Sequence, residues 1–310
     1  MIMALINTQT IESTSPLIIE SSVKDFITLM KPGVLSLVVF TGAVGLLMAP
    51  GEIHPLLGAI AIFCIALGSG AGGALNMWYD RDIDAIMMRT KNRPLPTGRI
   101  APDDALTFGV VLSVASITLM GVAVNWVAGG LLAFAIFFYA VIYTMLLKRS
   151  TEQNIVIGGA AGAFPPLIGW AAVTGDVSLV SLSLFLIIFL WTPPHFWALA
   201  LYRSGDYEKV GVPMMPVISG VAETKKQILI YTYLLVISSF LPVYLHASGM
   251  LYTLVAAVLG YIFIGHARAV LVSSEDAKAR SMFFYSILYL FALFFFLPID
   301  IWLTRLLSSL

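Results

Sequence analysis

Charged side chains are scarce. Asp, Glu, Lys and Arg make up 11% of the 310 residues, whereas 59% are hydrophobic and the mean hydropathy is +0.95. A soluble globular domain carries about 25% charged residues. A fold in water is excluded, because so few solvated side chains cannot cover so much apolar surface. Cysteine is almost absent. Cys64 stands alone in an apolar run, which excludes a disulfide framework and argues against a Cys-based metal site. The net charge is zero, so no basic face points to nucleic acid. Residues 1–23 contain no Lys or Arg. They lack the basic start of a signal peptide and the arginines of a mitochondrial presequence. They read as a short disordered lead, and they favour a bacterial plasma membrane over an organelle.

Long apolar runs fill the rest. A bilayer core of about 30 Å needs about 20 apolar residues in a helix. Nine stretches meet this: 33–50, 55–76, 105–125, 127–147, 154–174, 178–202, 227–246, 249–267 and 282–304. The fifth is interrupted by Gly and Pro between Gly158 and Pro166. No connection is long enough for a soluble domain. The expectation is an all-α membrane protein of nine transmembrane helices, with residues 24–310 forming a single intramembrane domain.

The basic residues orient it. With nine spans, one side receives the N-terminus and the loops near 77–104, 148–153, 203–226 and 268–281. These segments hold every Lys and Arg of the chain except Arg305. By the positive-inside rule the N-terminus is cytoplasmic and the C-terminus outside. The span interiors are read as free of Asp, Glu, Lys and Arg, with His195 the only ionisable group well inside. Proton relays and ion-coupled carriers keep such groups near the midplane. Here the chemistry is expected at the cytoplasmic mouth of an apolar bundle.

The second stretch runs out into Asn76-Met77-Trp78-Tyr79-Asp80-Arg81-Asp82-Ile83-Asp84. Asn76, Asp80 and Asp84, four residues apart, fall within about 80° of one helix face, with Asp82 displaced from it. Such a row suits Mg²⁺, a hard cation that takes one or two carboxylates and completes its shell with water and substrate phosphates. Arg89, Lys91, Arg93 and Arg99 follow in the segment Arg89–Arg99. Acids for a metal and cations for phosphate oxygens on one loop fit a metal–diphosphate site. The same residues also suit a solvated loop whose cations serve topology.

A fainter echo follows the sixth stretch. Asn76-x3-Asp80-x3-Asp84 is mirrored by Tyr202-x3-Asp206-x3-Val210. Two loops on one membrane side close a pocket in this reading, with Asp206 a metal ligand and Lys209 a phosphate contact. His195 follows Pro193 and Pro194, about 10 Å from the helix end near Tyr202 at 1.5 Å per residue. It reads either as a contact to bound substrate or as a partner of carbonyls that the prolines free. Lys31, beside Pro32 at the start of the first span, serves either topology or a diphosphate. Gly68–Ala74 and Gly158–Ala163 are runs of small residues that permit close helix approach or leave room for a flat substrate.

Three segments together resemble the UbiA superfamily of intramembrane prenyltransferases over residues 24–304. They are Asn76-x3-Asp80-x3-Asp84, then Arg89-Thr90-Lys91-Asn92-Arg93-Pro94-Leu95-Pro96 with Gly98, and Trp191-Thr192-Pro193-Pro194-His195-Phe196-Trp197 with Asp206-Tyr207 and Gly211-Val212-Pro213-Met214-Met215-Pro216. The last is similar to the haem-modifying branch. Where many relatives carry further acids, Tyr202 and Val210 flank Asp206, which leaves two-metal symmetry open.

The resemblance implies a UbiA-type bundle in the cell inner membrane. It implies that farnesyl diphosphate alkylates the 2-vinyl group of protohaem IX, giving haem O and diphosphate. Asn76, Asp80, Asp84 and Asp206 would hold Mg²⁺. Lys31, Arg89, Lys91, Arg93 and Lys209 would meet the diphosphate, and His195 and Tyr202 the organic substrates. Haem is then a substrate, and haem A synthase or terminal-oxidase assembly factors are implied partners. Rival readings are prenylation of a quinone precursor such as 4-hydroxybenzoate, a lipid transporter, and a non-catalytic oxidase-assembly subunit.

Overall fold

The computed structural model describes residues 21–203, 205 and 208–308, and no strand occurs among the described residues. Long helical segments account for all nine apolar stretches. They are α2 (Pro32–Met48), α3 (Pro55–Tyr79), α5 (Pro102–Ala123), α6 (Trp126–Phe137, continued by a π-helix over Phe138–Leu147), α7 (Asn154–Thr174), α8 (Leu179–Tyr202), α10 (Gly220–Ser238), α12 (Met250–Val272) and α13 (Asp276–Ser308). The short helix α1 (Val23–Leu29) precedes them, and α4 (Arg81–Ile86), α9 (Met215–Ile218) and α11 (Leu241–Tyr244) lie between them. Among the described residues eight segments, α10 taken with α11, are long and apolar enough to cross a bilayer, and α2 reaches that test together with α1, from which it is bent by 58°.

Helix starts follow local chemistry. Pro fills the first position of α2, α3 and α5, where its missing N–H forfeits no bond. Ser178 and Ser181 cap α8 reciprocally, and the Asn125 side chain accepts from the Ala128 N–H at the start of α6. Gly175 ends α7 in the left-handed conformation at φ +67°.

The fifth stretch is a continuous helix with Pro165 and Pro166 inside it. It is also the most buried of the candidate spans. A Cβ on Gly45 would collide with the Pro166 carbonyl, and one on Gly169 with the Gly42 carbonyl. Glycine therefore lets α2 and α7 meet backbone to backbone. This contact sets α2, and Lys31 at its head, against the centre of the bundle.

Three features depart from the sequence expectation. The helix carrying the acidic row breaks at Asp80, with α3 ending at Tyr79 and α4 starting at Arg81. The bonds from Asp80 N–H to Asn76 O (2.9 Å) and from Asp84 N–H to Asp80 O (2.8 Å) persist across the break, so the row stays in line. The spans are not free of acid. Asp300 in α13 is buried and accepts from the N–H groups of Gly249, Leu251 and Tyr252 at the start of α12. It supplies from a neighbouring helix the cap that α12 lacks, where lipid offers none. Finally, α1 starts at Val23, capped by Ser22, inside the segment expected as disordered lead; residues 1–20 lie outside the described residues.

Candidate active site

Asn76, Asp80 and Asp84 are all buried, with Asp80 1% and Asp84 3% exposed. A carboxylate in such surroundings needs an opposite charge. Lys148 supplies it to Asp80 Oδ2, with Arg149 3.4 Å from Oδ1. Arg93 Nη1 supplies it to Asp84 Oδ2 at 2.6 Å. Asn76 ties the row together. Its Nδ2 donates to Asp80 Oδ2 (2.8 Å) and Thr144 Oγ1 (3.0 Å), and its Oδ1 accepts from Lys31 Nζ.

Lys31 arrives by a strained corner. It sits between α1 and α2 in the left-handed region, at φ 56° and ψ 60°. A non-glycine residue there stores strain, which functional sites tolerate. The corner closes tightly on α3, because a Cβ on Gly73 would lie 3.0 Å from the Leu29 carbonyl oxygen. Arg99 braces it, with Nε donating to Asp25 of α1 (2.8 Å) and Nη2 to the Asn92 carbonyl (3.1 Å). One guanidinium thus links the segment that delivers Lys31 to the loop that delivers Arg93.

Lys148 is the residue that sequence reasoning missed. In the loop pattern it is one cation among many. The π-helix turns it inward: the wider register bonds Lys148 N–H to Tyr143 O (2.8 Å) and Thr144 Oγ1 to Tyr139 O (2.8 Å). It also stacks Tyr139 on Tyr143, and Tyr139 Oη accepts from Lys31 Nζ at 3.3 Å. Arg149, next in sequence, faces outward. It grips both Asp82 oxygens at 2.7 Å and covers the Tyr79 ring. That hydrogen bonding holds the Asp82 carboxyl below the usual carboxylate range. Asp82 is thus a pairing residue off the row.

The row opens into a cavity of about 1040 Å³. Lys31, Asn76, Asp84, Arg89, Arg93 and Lys148 line its mouth. Farther along lie the small face of α7, with Gly158, Gly159, Ala161 and Gly162, and an aromatic wall of Trp191, His195 and Phe196 from α8 and Phe283 and Phe284 from α13. His195 is sandwiched between Trp191 (4.2 Å) and Phe283 (4.6 Å). Its Nδ1 lies 2.6 Å from Ser286 Oγ, and we assign the single hydrogen of that hydroxyl to the Phe283 carbonyl, also at 2.6 Å. Nδ1 is therefore assigned as the donor, and Nε2 of the neutral ring keeps its lone pair. Neither proline-freed carbonyl is its partner.

Among the expected site residues, Lys31, Asn76, Asp84, Arg89, Arg93 and His195 share this cavity, and Asp80 is buried beside it between Asn76 and Lys148. Tyr202 lies behind the wall, edge-on to Phe283 at 6.2 Å. Lys91 and Lys209 are exposed and do not line the cavity. Asp206 lies outside the described residues. Among the described residues no three His, Cys, Asp or Glu cluster as a complete metal cage. Two carboxylates and an amide, all hard oxygen donors beside a cluster of cations, do match what Mg²⁺ takes when substrate oxygens and water fill the rest of its shell.

Comparison with known proteins identifies the family. The model of the UbiA prenyltransferase family matches residues 38–295. A protoheme IX farnesyltransferase of Rhizobium etli (strain CIAT 652) is 61% identical over 285 residues, covering 91% of this chain and 90% of the relative. One from Granulibacter bethesdensis is 56% identical over 289 residues, covering 90% and 91%. Among solved structures, one concerning digeranylgeranylglyceryl phosphate synthase superposes with a TM-score of 0.74 at 22% identity, covering 89% of this chain and 98% of that one. A UbiA homologue from Archaeoglobus fulgidus bound to DMAPP and Mg²⁺ superposes with a TM-score of 0.65 at 17% identity, covering 88% and 99%. The chain is a multi-span membrane enzyme and belongs to the UbiA prenyltransferase family.

Proposed function

We propose that the chain transfers the farnesyl group of farnesyl diphosphate to the 2-vinyl group of protohaem IX, with addition of water, giving haem O and diphosphate. The observation that carries this reading is a single cavity whose charged mouth suits a diphosphate and whose aromatic wall, with His195, suits a haem. Relatives named protoheme IX farnesyltransferase at about 60% identity support the choice of acceptor.

Diphosphate leaves slowly until its charge is matched. Lys31, Arg89, Arg93 and Lys148 stand at the mouth to match it. Asn76, Asp80 and Asp84, with Asp206, would hold Mg²⁺. When bound, the ion supplies Lewis-acid neutralisation of the leaving group. Lys148 and Arg93 now occupy the two carboxylates, so binding would release both cations towards phosphate oxygens. The small face of α7 and the aromatic wall exclude water from the allylic cation while the vinyl group adds. His195 lines the chamber, its Nε2 would be an atom suited to haem iron, and Ser286 holds the ring that bears it.

The same reading places the mouth in the cytoplasm and the protein in the bacterial inner membrane, with the N-terminus inside and the C-terminus outside. The cations of the loops 77–104, 148–153 and 203–226 support that orientation. Haem A synthase or an oxidase assembly factor would receive the product. The test is purified protein with farnesyl diphosphate and either protohaem IX or 4-hydroxybenzoate, read by mass. Farnesylated haem alone is expected. Prenylated hydroxybenzoate, or no covalent product, would contradict the reading.

A further inference from the structure

One polar atom of a chamber-lining residue is buried without a hydrogen-bond partner among the described residues. Asn154 opens α7, is fully buried and lines the chamber. Its Nδ2 donates to the carbonyl oxygens of Thr151 (2.7 Å) and Pro213 (3.0 Å). Two carbonyl acceptors on that side decide which end of the amide is nitrogen. The atom left is Oδ1, buried and without a hydrogen-bond partner among the described residues. Such an orphan is rare and asks for an occupant. Farther along, α7 offers the chamber only apolar side chains and glycines, from Ile155 and Gly158 to Pro165 and Ile168.

Chemistry narrows what meets this oxygen, on the functional reading given above. Oδ1 accepts and cannot donate. An ionised diphosphate has no donor, and neither has a farnesyl chain. A metallated porphyrin has no N–H, and its propionates are ionised. Among the species that the reaction brings into the chamber, the remaining donor is water, and the proposed reaction consumes one water as the hydroxyl of its product.

We infer that Asn154 Oδ1 holds the water that captures the cation on the farnesylated vinyl group. The farnesyl C1–oxygen bond breaks and its electron pair leaves on diphosphate. The terminal vinyl carbon gives its π electrons to C1, which leaves the cation on the carbon next to the porphyrin ring. The held water forms the new C–O bond, and its surplus proton passes to the released diphosphate. Without a held water, the same cation sheds a proton from the neighbouring methylene, and the product is an alkene lighter by one water. Asn154 thus governs the fate of the cation and leaves its formation to the charged mouth.

The test supplies wild type, Asn154→Ala and Asn154→Asp with farnesyl diphosphate and protohaem IX and resolves the haem products by mass. The alkene-to-hydroxyl ratio is read per molecule of product, so a partly folded preparation does not distort it. The ratio should rise about tenfold in Asn154→Ala, the effect of one hydrogen bond lost from the capture step. It should stay near wild type in Asn154→Asp, which keeps an acceptor oxygen. If the Ala variant makes no product, the Asp variant decides: hydroxylated product supports the inference, and alkene, or no product while farnesyl diphosphate still binds, overturns it. An unchanged ratio in Asn154→Ala overturns it too, including the case where only the Mg²⁺ requirement rises, which marks a water of the metal's shell. Wild-type protein that makes no farnesylated haem overturns the functional reading and this inference together; normal wild-type product with unchanged hydration in the variants overturns this inference alone.

Discussion

The two ends of the chamber are built on opposite principles. At the mouth, charge is concentrated and paired: Asp80 with Lys148, Asp84 with Arg93, and Asn76 bridging to Lys31. Along the wall, charge is absent and rings and glycines take over, with His195 among them. The mouth suits an anion that must be loosened from its carbon. The wall suits a flat acceptor and a cation that water must not reach early. On the proposed function, the contrast teaches that one cavity would separate the departure of the leaving group from the bonding of the acceptor, with each end specialised by what it omits.

The sharpest way to break this contrast is to remove an acid from the mouth. Asp80→Ala or Asp84→Ala should lower turnover by about 10²- to 10³-fold, the scale of losing a group that stabilises developing charge, while the protein still inserts; haem product per inserted molecule checks it. Lys148→Ala comes next. It leaves the buried Asp80 with Arg149 at 3.4 Å as its one cation among the described residues, and a loss of about a hundredfold is expected, with partial recovery in Lys148→Arg. Initial rates across farnesyl diphosphate concentrations measure it. At the wall, His195→Ala should raise the KM for haem about tenfold and leave that for farnesyl diphosphate nearly unchanged. Ser286→Ala should do the same more weakly, because the ring then loses the partner that fixes its tautomer. The smallest effect belongs to Asp82→Ala. This exposed pair with Arg149 contributes well under about 1 kcal/mol. Its carboxyl is held low, so that contribution is present above the ordinary carboxylate pKa and fades as pH falls through the depressed value. Thermal unfolding in detergent at neutral and acid pH reads it.

Much of this was legible in the residues. The apolar stretches match the helices to within a few residues at most ends, because bilayer thickness dictates length and Pro, Ser and Asn mark the starts. The stretch from Gly158 to Pro166 reads as interrupted, yet α7 is continuous: Gly42 and Gly45 of α2 pack directly on the backbone at Pro165, Pro166 and Gly169, and tertiary contact overrides propensity. The spacing of Asn76, Asp80 and Asp84 found the row. It did not reveal the break at Asp80, since that depends on partners distant in sequence. Lys148 was invisible for a similar reason, as the π-helical register that aims it at Asp80 leaves no pattern in the residues themselves. Asp300 was overlooked because an acid near a span end reads as solvated, whereas here it caps α12.

Equilibrium binding of each substrate to wild type, Asp84→Ala and His195→Ala tests the division of the chamber most directly. The expected result is a crossed pattern: Asp84→Ala loses farnesyl diphosphate in the presence of Mg²⁺ and keeps haem, while His195→Ala keeps farnesyl diphosphate and loses haem. Equal loss of both ligands in both variants would contradict it.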